Sequence, residues 1–426
     1  AYLLASDEHH HMTAHSRLLV EHVAEHLWPR NEVGGKALGN RVPLHLGRGT
    51  IDMALQVRGE GDPRHRATLV LGGGGLDRGS DPAEYAAAMI TRSAPPVQHH
   101  ESFEALTAAD ISAACGQLAR HVLRTPVVEW PGYEVPALLA PGTRITAKLE
   151  LLQRTGSFKA RGAMVNLLAL TAEQRARGIT AVSAGNHAIA VAWAARAAGV
   201  SAKVVMIGTA NQRRIELTEG FGAEVLMAGD PAEAFALADR LVADEGRVMV
   251  HPFEGRLTAL GTATVGAELM EQAPALDAVI VPIGGGGLLA GVAAAVKLAN
   301  PACQVFGVEP IGADSMHRSF RAGEPQPIER SSTIADSLGA PYALPWSFEC
   351  ARRNTDGLVL VDDEQLRAAM RLTFLDAKLA VEPAGAAALA ALLGPLREPL
   401  ADKHVGLVIC GSNIDAQSYA RLLAEG

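Results

Sequence analysis

The run Ala278-Val279-Ile280-Val281-Pro282-Ile283-Gly284-Gly285-Gly286-Gly287-Leu288 decides the fold. An unbroken apolar stretch reads as a strand buried on both faces, the signature of a parallel sheet. The four glycines that follow allow positive φ and close backbone approach. Leu288 to Leu298 then reads as an alanine-rich helix. Strand, glycine turn and helix together make one unit of an open α/β sheet, whose ligands sit outside the strand carboxyl ends.

The same texture extends from Phe103 onward. Ala202 to Ile207, Val305 to Val308 and Gly406 to Cys410 read as further buried strands. Asn186 to Ala198, Pro231 to Glu245 and Ala384 to Leu393 read as helices between them, so the expected class is α/β with parallel sheets. The stretch Met12 to Pro96 differs. It holds an amphipathic helical pattern (Leu18, Leu19, Val20, Val23, Leu27) and two strand-like runs, Ile51 to Val57 and Ala67 to Leu71. It carries no chemical constellation, and its Gly72 to Gly75 run reads as a plain turn. Pro95-Pro96 and His99-His100-Glu101 read as a linker.

The whole chain has 426 residues, 48% apolar and 20% charged, which fits a globular protein of two or three units. A net charge of -8 gives no reason to expect nucleic acid or an anionic membrane as partner. No apolar run is long enough to span a bilayer. Ala1 to Met12 lack the features of a secretory signal, and His9-His10-His11 read as a tag remnant before a native Met12. Cys115, Cys303, Cys350 and Cys410 lack the spacing of a zinc site or a disulfide framework, so reduced thiols in the cytoplasm are expected.

Three loops carry chemistry. Gly284 to Gly287 with Leu288 can form a nest of N–H donors for a phosphate. The loop lacks the Lys-Ser/Thr of a P-loop and the GxGxxG pattern, so a mononucleotide or another phosphate ligand stays open from this loop alone. Thr155-Gly156-Ser157-Phe158-Lys159-Ala160-Arg161-Gly162-Ala163 places a lysine between small residues and after an aromatic. Partial desolvation there would lower its pKa and make it an amine nucleophile, although a lone lysine at a helix start is usually a solvated charge. In Ser183-Ala184-Gly185-Asn186-His187-Ala188, Ser183 or Asn186 can cap the next helix, whose N-terminus suits a carboxylate. His187 is readable as a base but more simply as a packing residue.

Taken together, SFKARGA, SAGNHA, GGGGL, VEP, IADSL, EPAGA and CGSN resemble the fold-type II pyridoxal-phosphate enzymes, in the serine/threonine dehydratase and serine racemase branch. The resemblance runs from Phe103 to the C-terminal end. It implies a tryptophan-synthase-β-like fold of two parallel-sheet α/β domains plus an N-terminal extension. The expected boundaries are 1–96 for the extension, 97–179 with 253–426 for the larger cofactor-binding domain, and 180–252 for a smaller mobile domain. It implies pyridoxal 5'-phosphate held as a Schiff base on Lys159, with Phe158 on a ring face and Asn186 on the phenolic oxygen. Gly284, Gly285, Gly286, Gly287 and Leu288 would cradle the phosphate, and Cys410 would face the pyridine nitrogen. Ser157, Ser183, Asn186 and His187 would surround the substrate carboxylate.

The implied reaction is dehydration and deamination of a β-hydroxy-α-amino acid to a 2-oxo acid and ammonia, with threonine or serine as default substrate. The residues facing the β-substituent lie on loops without a spacing signal, so that substituent is left open. β-Replacement or elimination on a less common amino acid, and a silent cofactor-binding scaffold, are the other readings. A symmetric dimer is implied by the resemblance alone. Three departures qualify it. Ala184 stands where racemases of the branch carry a second serine, which removes the acid needed on the far face of Cα. Glu309, Ala313 and Ser315 match the metal-ligand positions of metal-activated relatives, but Ser315 replaces an aspartate and weakens a hard-cation site. Gly261-Thr262-Ala263-Thr264 replaces the usual Gly-Gln-Gly-Thr and puts substrate preference in question.

Overall fold

The computed structural model describes residues 103–208 and 211–425 in full, with four strands in the chain before them. The chain divides into two compact units, Ala1–Val97 and Gln98–Gly426. In the first unit, β1 (Tyr2–Ala5) pairs parallel with β4 (Arg66–Gly72). β3 (Gly49–Arg58) runs antiparallel to β4 and to β2 (Arg41–Leu46). The two runs read as strands fall within β3 and β4. The amphipathic pattern around Leu18 to Leu27 and the turn Gly73 to Gly75 lie outside the described residues.

The second unit holds two sheets. The larger has six strands in the order β13-β12-β11-β14-β6-β5. They are β5 (Val127–Glu129), β6 (Arg144–Lys148), β11 (Ala278–Pro282), β12 (Gln304–Pro310), β13 (Gly357–Val361) and β14 (His404–Val408). Only the edge strand β5 is antiparallel. The smaller sheet, β10-β7-β8-β9, is parallel throughout and comprises β7 (Ile179–Val182), β8 (Ala202–Ile207), β9 (Glu224–Ala228) and β10 (Val248–Met249). Every residue of β11 is buried, with Val279 paired to Val305 on one side and Gly406 on the other. An unbroken apolar run is what such a central parallel strand requires.

Helix boundaries follow local chemistry. Asp230 caps the helix Pro231–Glu245 by accepting from the Glu233 amide, and Gly246 ends it at φ 64°. The helix Asn186–Ala198 ends on Gly199 at φ 66°. These are the usual stop signals, since only glycine takes the left-handed conformation without strain.

The helix that begins at Lys159 (Lys159–Leu168) is pinned by two contacts. Gly261, on the helix Arg256–Gln272, lies so close that a Cβ there would sit 2.4 Å from the Gly162 Cα. Arg161, fully buried, places both arms of its guanidinium on carboxylates. Nε and Nη2 donate to Glu150 at 2.8 Å, while Nη1 and Nη2 donate to Glu268 at 2.8 Å. Lys148 completes the cluster, donating to Glu268 at 2.6 Å, to Gln272 at 2.9 Å and to the Thr125 carbonyl at 2.9 Å. Removing one member of a buried charge cluster leaves the others uncompensated. Arg161→Met is therefore expected to lower stability by about 3–5 kcal/mol, read from the urea midpoint of unfolding. A loss below about 1 kcal/mol would show that the cluster does not hold this helix.

Candidate active site

The segment before Lys159 is locked to the end of β14. Ser157 forms an isolated antiparallel bridge with Gly411, and the Phe158 amide donates to the Cys410 carbonyl at 3.1 Å. Just upstream, Thr155 holds φ 64°, an uncommon conformation for a β-branched residue, and its carbonyl accepts from Asn413 Nδ2 at 2.7 Å. Strain of this kind persists where surrounding contacts over-determine the backbone. The result is a fixed direction for Lys159. Its Nζ donates to the Pro252 carbonyl at 2.5 Å and lies 5.1 Å from the centroid of the Phe158 ring. Burial lowers its pKa to about 8, against the opposing pull of the Glu382 carboxylate. A sizeable fraction of neutral amine near pH 8 is what attack on an aldehyde needs.

The glycine loop leaves β11 and opens the helix Gly287–Ala299, whose N-terminus has no side-chain cap. Gly286 takes φ 95°, and a Cβ on it would strike the Met316 methyl at 2.3 Å. The loop therefore admits no side chain, and its end presents uncapped amides suited to a dianionic phosphate. Leu288 is buried directly behind it. The Phe253 ring packs on Gly285, edge-on to His251 with centroids 4.6 Å apart and 6.1 Å from the Tyr342 ring.

The third loop differs from the expected capping. The helix Asn186–Ala198 begins at Gly185 without a side-chain cap. Ser183 Oγ instead accepts from the Gly185 amide at 3.1 Å, and the Asn186 carboxamide is engaged elsewhere. Its Oδ1 accepts from Asn413 at 2.6 Å, and its Nδ2 donates to Glu382 at 2.6 Å and towards Ser337 Oγ at 3.3 Å. The first amides of the helix stay open to an anion. Beside them, the Ser157 hydroxyl is buried with no hydrogen-bond partner among the described residues.

His187 Nε2 must carry its proton, since it faces the Val250 carbonyl at 2.8 Å. Burial, aided by nearby Lys159, lowers its pKa to about 3, so the ring stays neutral and its other nitrogen cannot donate. Any carboxylate contact from His187 has to come from its backbone amide. Burial, with Glu382 adding to it, pushes the Cys410 thiol well above its ordinary pKa. A neutral Sγ–H results.

The metal candidates are committed to the protein. Glu309 accepts from the Met316 and His317 amides at 2.8 and 2.7 Å, closing the N-terminus of the helix Ser315–Ala322. Burial raises its pKa to about 8 against those two bonds. Ser315 Oγ donates to the Ala340 carbonyl at 3.2 Å, Ala313 is buried in a short turn, and Asp314 pairs with Arg318 at 2.8 Å. Among the described residues no cluster of three or more His, Cys, Asp or Glu is placed to hold a metal. Of the three candidate donors, the Glu309 carboxylate and the Ser315 hydroxyl are thus already engaged by hydrogen bonds within the chain.

For pyridoxal phosphate the fit is different. Lys159, Phe158, His187 and Gly287 line one small cavity, and Cys410 and Glu382 lie within electrostatic reach of Lys159. Glu382, Arg214, Asp336 and Ser337 also belong to this region. Glu382, Asp336 and Ser337 lie within motifs already quoted, EPAGA and IADSL, whereas Arg214 lies in none of them, and nothing in their spacing assigns any of the four a contact.

The comparisons agree with the geometry. A family described as pyridoxal-phosphate dependent enzyme matches residues 118–411. Phenylserine dehydratase of Ralstonia pickettii is 55% identical over 323 residues, covering 75% of this chain and 98% of that protein. L-threonine ammonia-lyase of Thermotoga maritima is 37% identical over 322 residues, 75% of this chain and 79% of that protein. The structure of maize serine racemase matches with a TM-score of 0.71 at 33% identity, covering 76% of this chain and 98% of that one.

The lowered basicity of Lys159 gives a measurable expectation. The rate at which protein stripped of cofactor takes up pyridoxal phosphate should rise with pH and level off with a midpoint near 8. A rate still climbing steeply at pH 10, as for a solvated lysine, would contradict the burial argument.

Proposed function

Because the chain belongs to the pyridoxal-phosphate dependent enzymes, we propose that it removes water from β-hydroxy-α-amino acids, with a β-aryl substrate such as 3-phenylserine preferred over threonine and serine. The observation that carries the reading is Lys159, half-buried, lowered in pKa and lining one small cavity together with Gly287 of the uncapped glycine loop. When bound, pyridoxal phosphate supplies an electron-accepting ring conjugated to the substrate amine, which acidifies the Cα–H bond.

The chain's own groups do the rest. The Lys159 amine takes the Cα proton as general base. Ser157 Oγ, Ser183 Oγ and the amides of Asn186 and His187 hold the substrate carboxylate, which fixes the Cα–H bond towards Lys159. A neutral Cys410 thiol cannot protonate a ring nitrogen as a carboxylic acid would. Charge at Cα is then weakly stabilised, and loss of the β-hydroxyl, which leaves as water carrying a proton equivalent to the one Lys159 took from Cα, is favoured over its persistence. The enamine released takes up water and yields a 2-oxo acid and ammonia. Ala184 offers no acid on the far face of Cα, which argues against racemisation.

Two observations support a β-aryl substrate. One is the 55% identity to a phenylserine dehydratase, against 37% to a threonine ammonia-lyase. The other is the cluster of Phe253, His251 and Tyr342 beside the glycine loop. Aromatic walls suit an aryl ring through offset and edge contacts.

The proposal includes closure of the smaller sheet, residues 180–252, over the substrate. The Arg214–Asp336 ion pair at 2.5 Å supports it by linking the helix Gln212–Gly220, beside the smaller sheet, to the turn Asp336–Leu338. It also includes a homodimer, which rests on the family resemblance alone, and a cytoplasmic setting, with which four free thiols are consistent.

Purified protein should convert 3-phenylserine to phenylpyruvate and ammonia with no added nucleophile. Its kcat/KM should exceed that for threonine by about tenfold or more, the scale on which a fitted apolar pocket discriminates. Equal or better use of threonine would contradict the aryl preference. Product formed only with an added thiol or amine would reject elimination.

A further inference from the structure

Glu382 is only 1% exposed, and the reaction above gives it no role. It immediately precedes the helix Pro383–Leu393, and its amide donates to the Gly411 carbonyl at 3.3 Å. Charged and titratable groups face it from each neighbouring element. Arg214, on the helix Gln212–Gly220, brings Nη2 to 3.7 Å from Oε2, but binds Asp336 more closely at 2.5 Å. Asp336 and Ser337 come from the turn Asp336–Leu338, with Ser337 Oγ 3.3 Å from Oε2. The Cys410 thiol and the Lys159 amine lie within electrostatic reach. Burial outweighs the shared Arg214 charge, Asp336 opposes ionisation, and the pKa of Glu382 rises to about 7.

The Asn186 carboxamide is gripped at both ends. Asn413 spends its Nδ2 on the Thr155 carbonyl and on Asn186 Oδ1, at 2.7 and 2.6 Å. Asn186 Nδ2 must then turn towards Glu382, and it donates to Oε1 at 2.6 Å. Only one of its two N–H groups is spent so tightly. The other approaches Ser337 Oγ at 3.3 Å, a long contact that a better acceptor would displace.

We propose that Glu382 is a positioning residue, whose ionised carboxylate orients and polarises the Asn186 carboxamide so that its second N–H is presented to the cofactor. This rests on the reading of Lys159 and Asn186 as cofactor-facing. Ionised Glu382 accepts strongly and fixes the amide. Protonated Glu382 has one fewer acceptor site and loses its charge, so the grip on Asn186 loosens. The site thereby gains a titrating group separate from Lys159, and full activity requires Glu382 ionised.

The test is a pH titration of the visible absorption of the substrate-free holoenzyme, alongside kcat and KM. Wild-type protein should show a spectral transition with a midpoint near 7, and kcat should fall below it with the slope of one proton. Glu382→Gln keeps an acceptor for Asn186 but cannot ionise. It should abolish that transition and flatten the acid limb of kcat, with KM changed less than about threefold, since a lost carboxylate contact would act on KM instead. Arg214→Met removes the opposing cation and should move the midpoint upward by at least half a pH unit, roughly the scale of a partly screened ion pair. A midpoint unchanged in both variants overturns the proposal, even if stability falls. Because the spectrum is read without substrate, absent turnover of 3-phenylserine would count against the substrate reading and leave the spectral result to decide on Glu382.

Discussion

Arg161 stands two residues beyond the reactive lysine with two edges of its guanidinium spent on Glu150 and Glu268. Those carboxylates come from the turn after β6 and from the helix that crosses the lysine's own helix at Gly261. A planar fork that bonds two carboxylates at once fixes rotation as well as position. Lys159 therefore leaves a helix that can neither slide nor turn, and its side chain has one direction open to it. The glycine contact between Gly261 and Gly162 sets the depth of that helix, and the charge cluster sets its register.

Desolvation governs the electrostatics of the site. Burial lowers Lys159 to about 8 and His187 to about 3, raises Glu382 to about 7, and keeps Cys410 a thiol. In each case the same cause pushes the group towards its neutral form. The consequences differ with chemistry. A neutral lysine is a nucleophile and a base, a neutral thiol withholds a proton, and a neutral imidazole simply packs. Around them, uncapped helix ends at Gly287 and Asn186 supply the positive potential that two anionic groups need.

Much of this was legible in the sequence because it is local. The helices Asn186–Ala198 and Pro231–Glu245 have the expected bounds, since caps such as Asp230 and Gly246 are written beside them. The strand expected over Gly406 to Cys410 lies instead at His404–Val408. The apolar run continues past its end because Cys410 leaves the sheet and turns inward beside Phe158. Ser183 reads as a cap but is not one, since its hydroxyl accepts from the Gly185 amide, one residue before the helix begins at Asn186. The Glu382 cluster was not legible at all. Its bonds join residues 196 apart for Asn186 and 122 apart for Arg214 with Asp336, and periodicity says nothing about such pairings.

The central claim is that Lys159 is the residue bearing the cofactor. Reduction of the holoenzyme with borohydride, followed by peptide mapping by mass spectrometry, tests it most directly. The account predicts one pyridoxyl-phosphate adduct, on the peptide containing Ser157 to Arg161 and sited at Lys159. An adduct on Lys148, a fully buried lysine whose pKa is also lowered, or on no lysine at all, would contradict it.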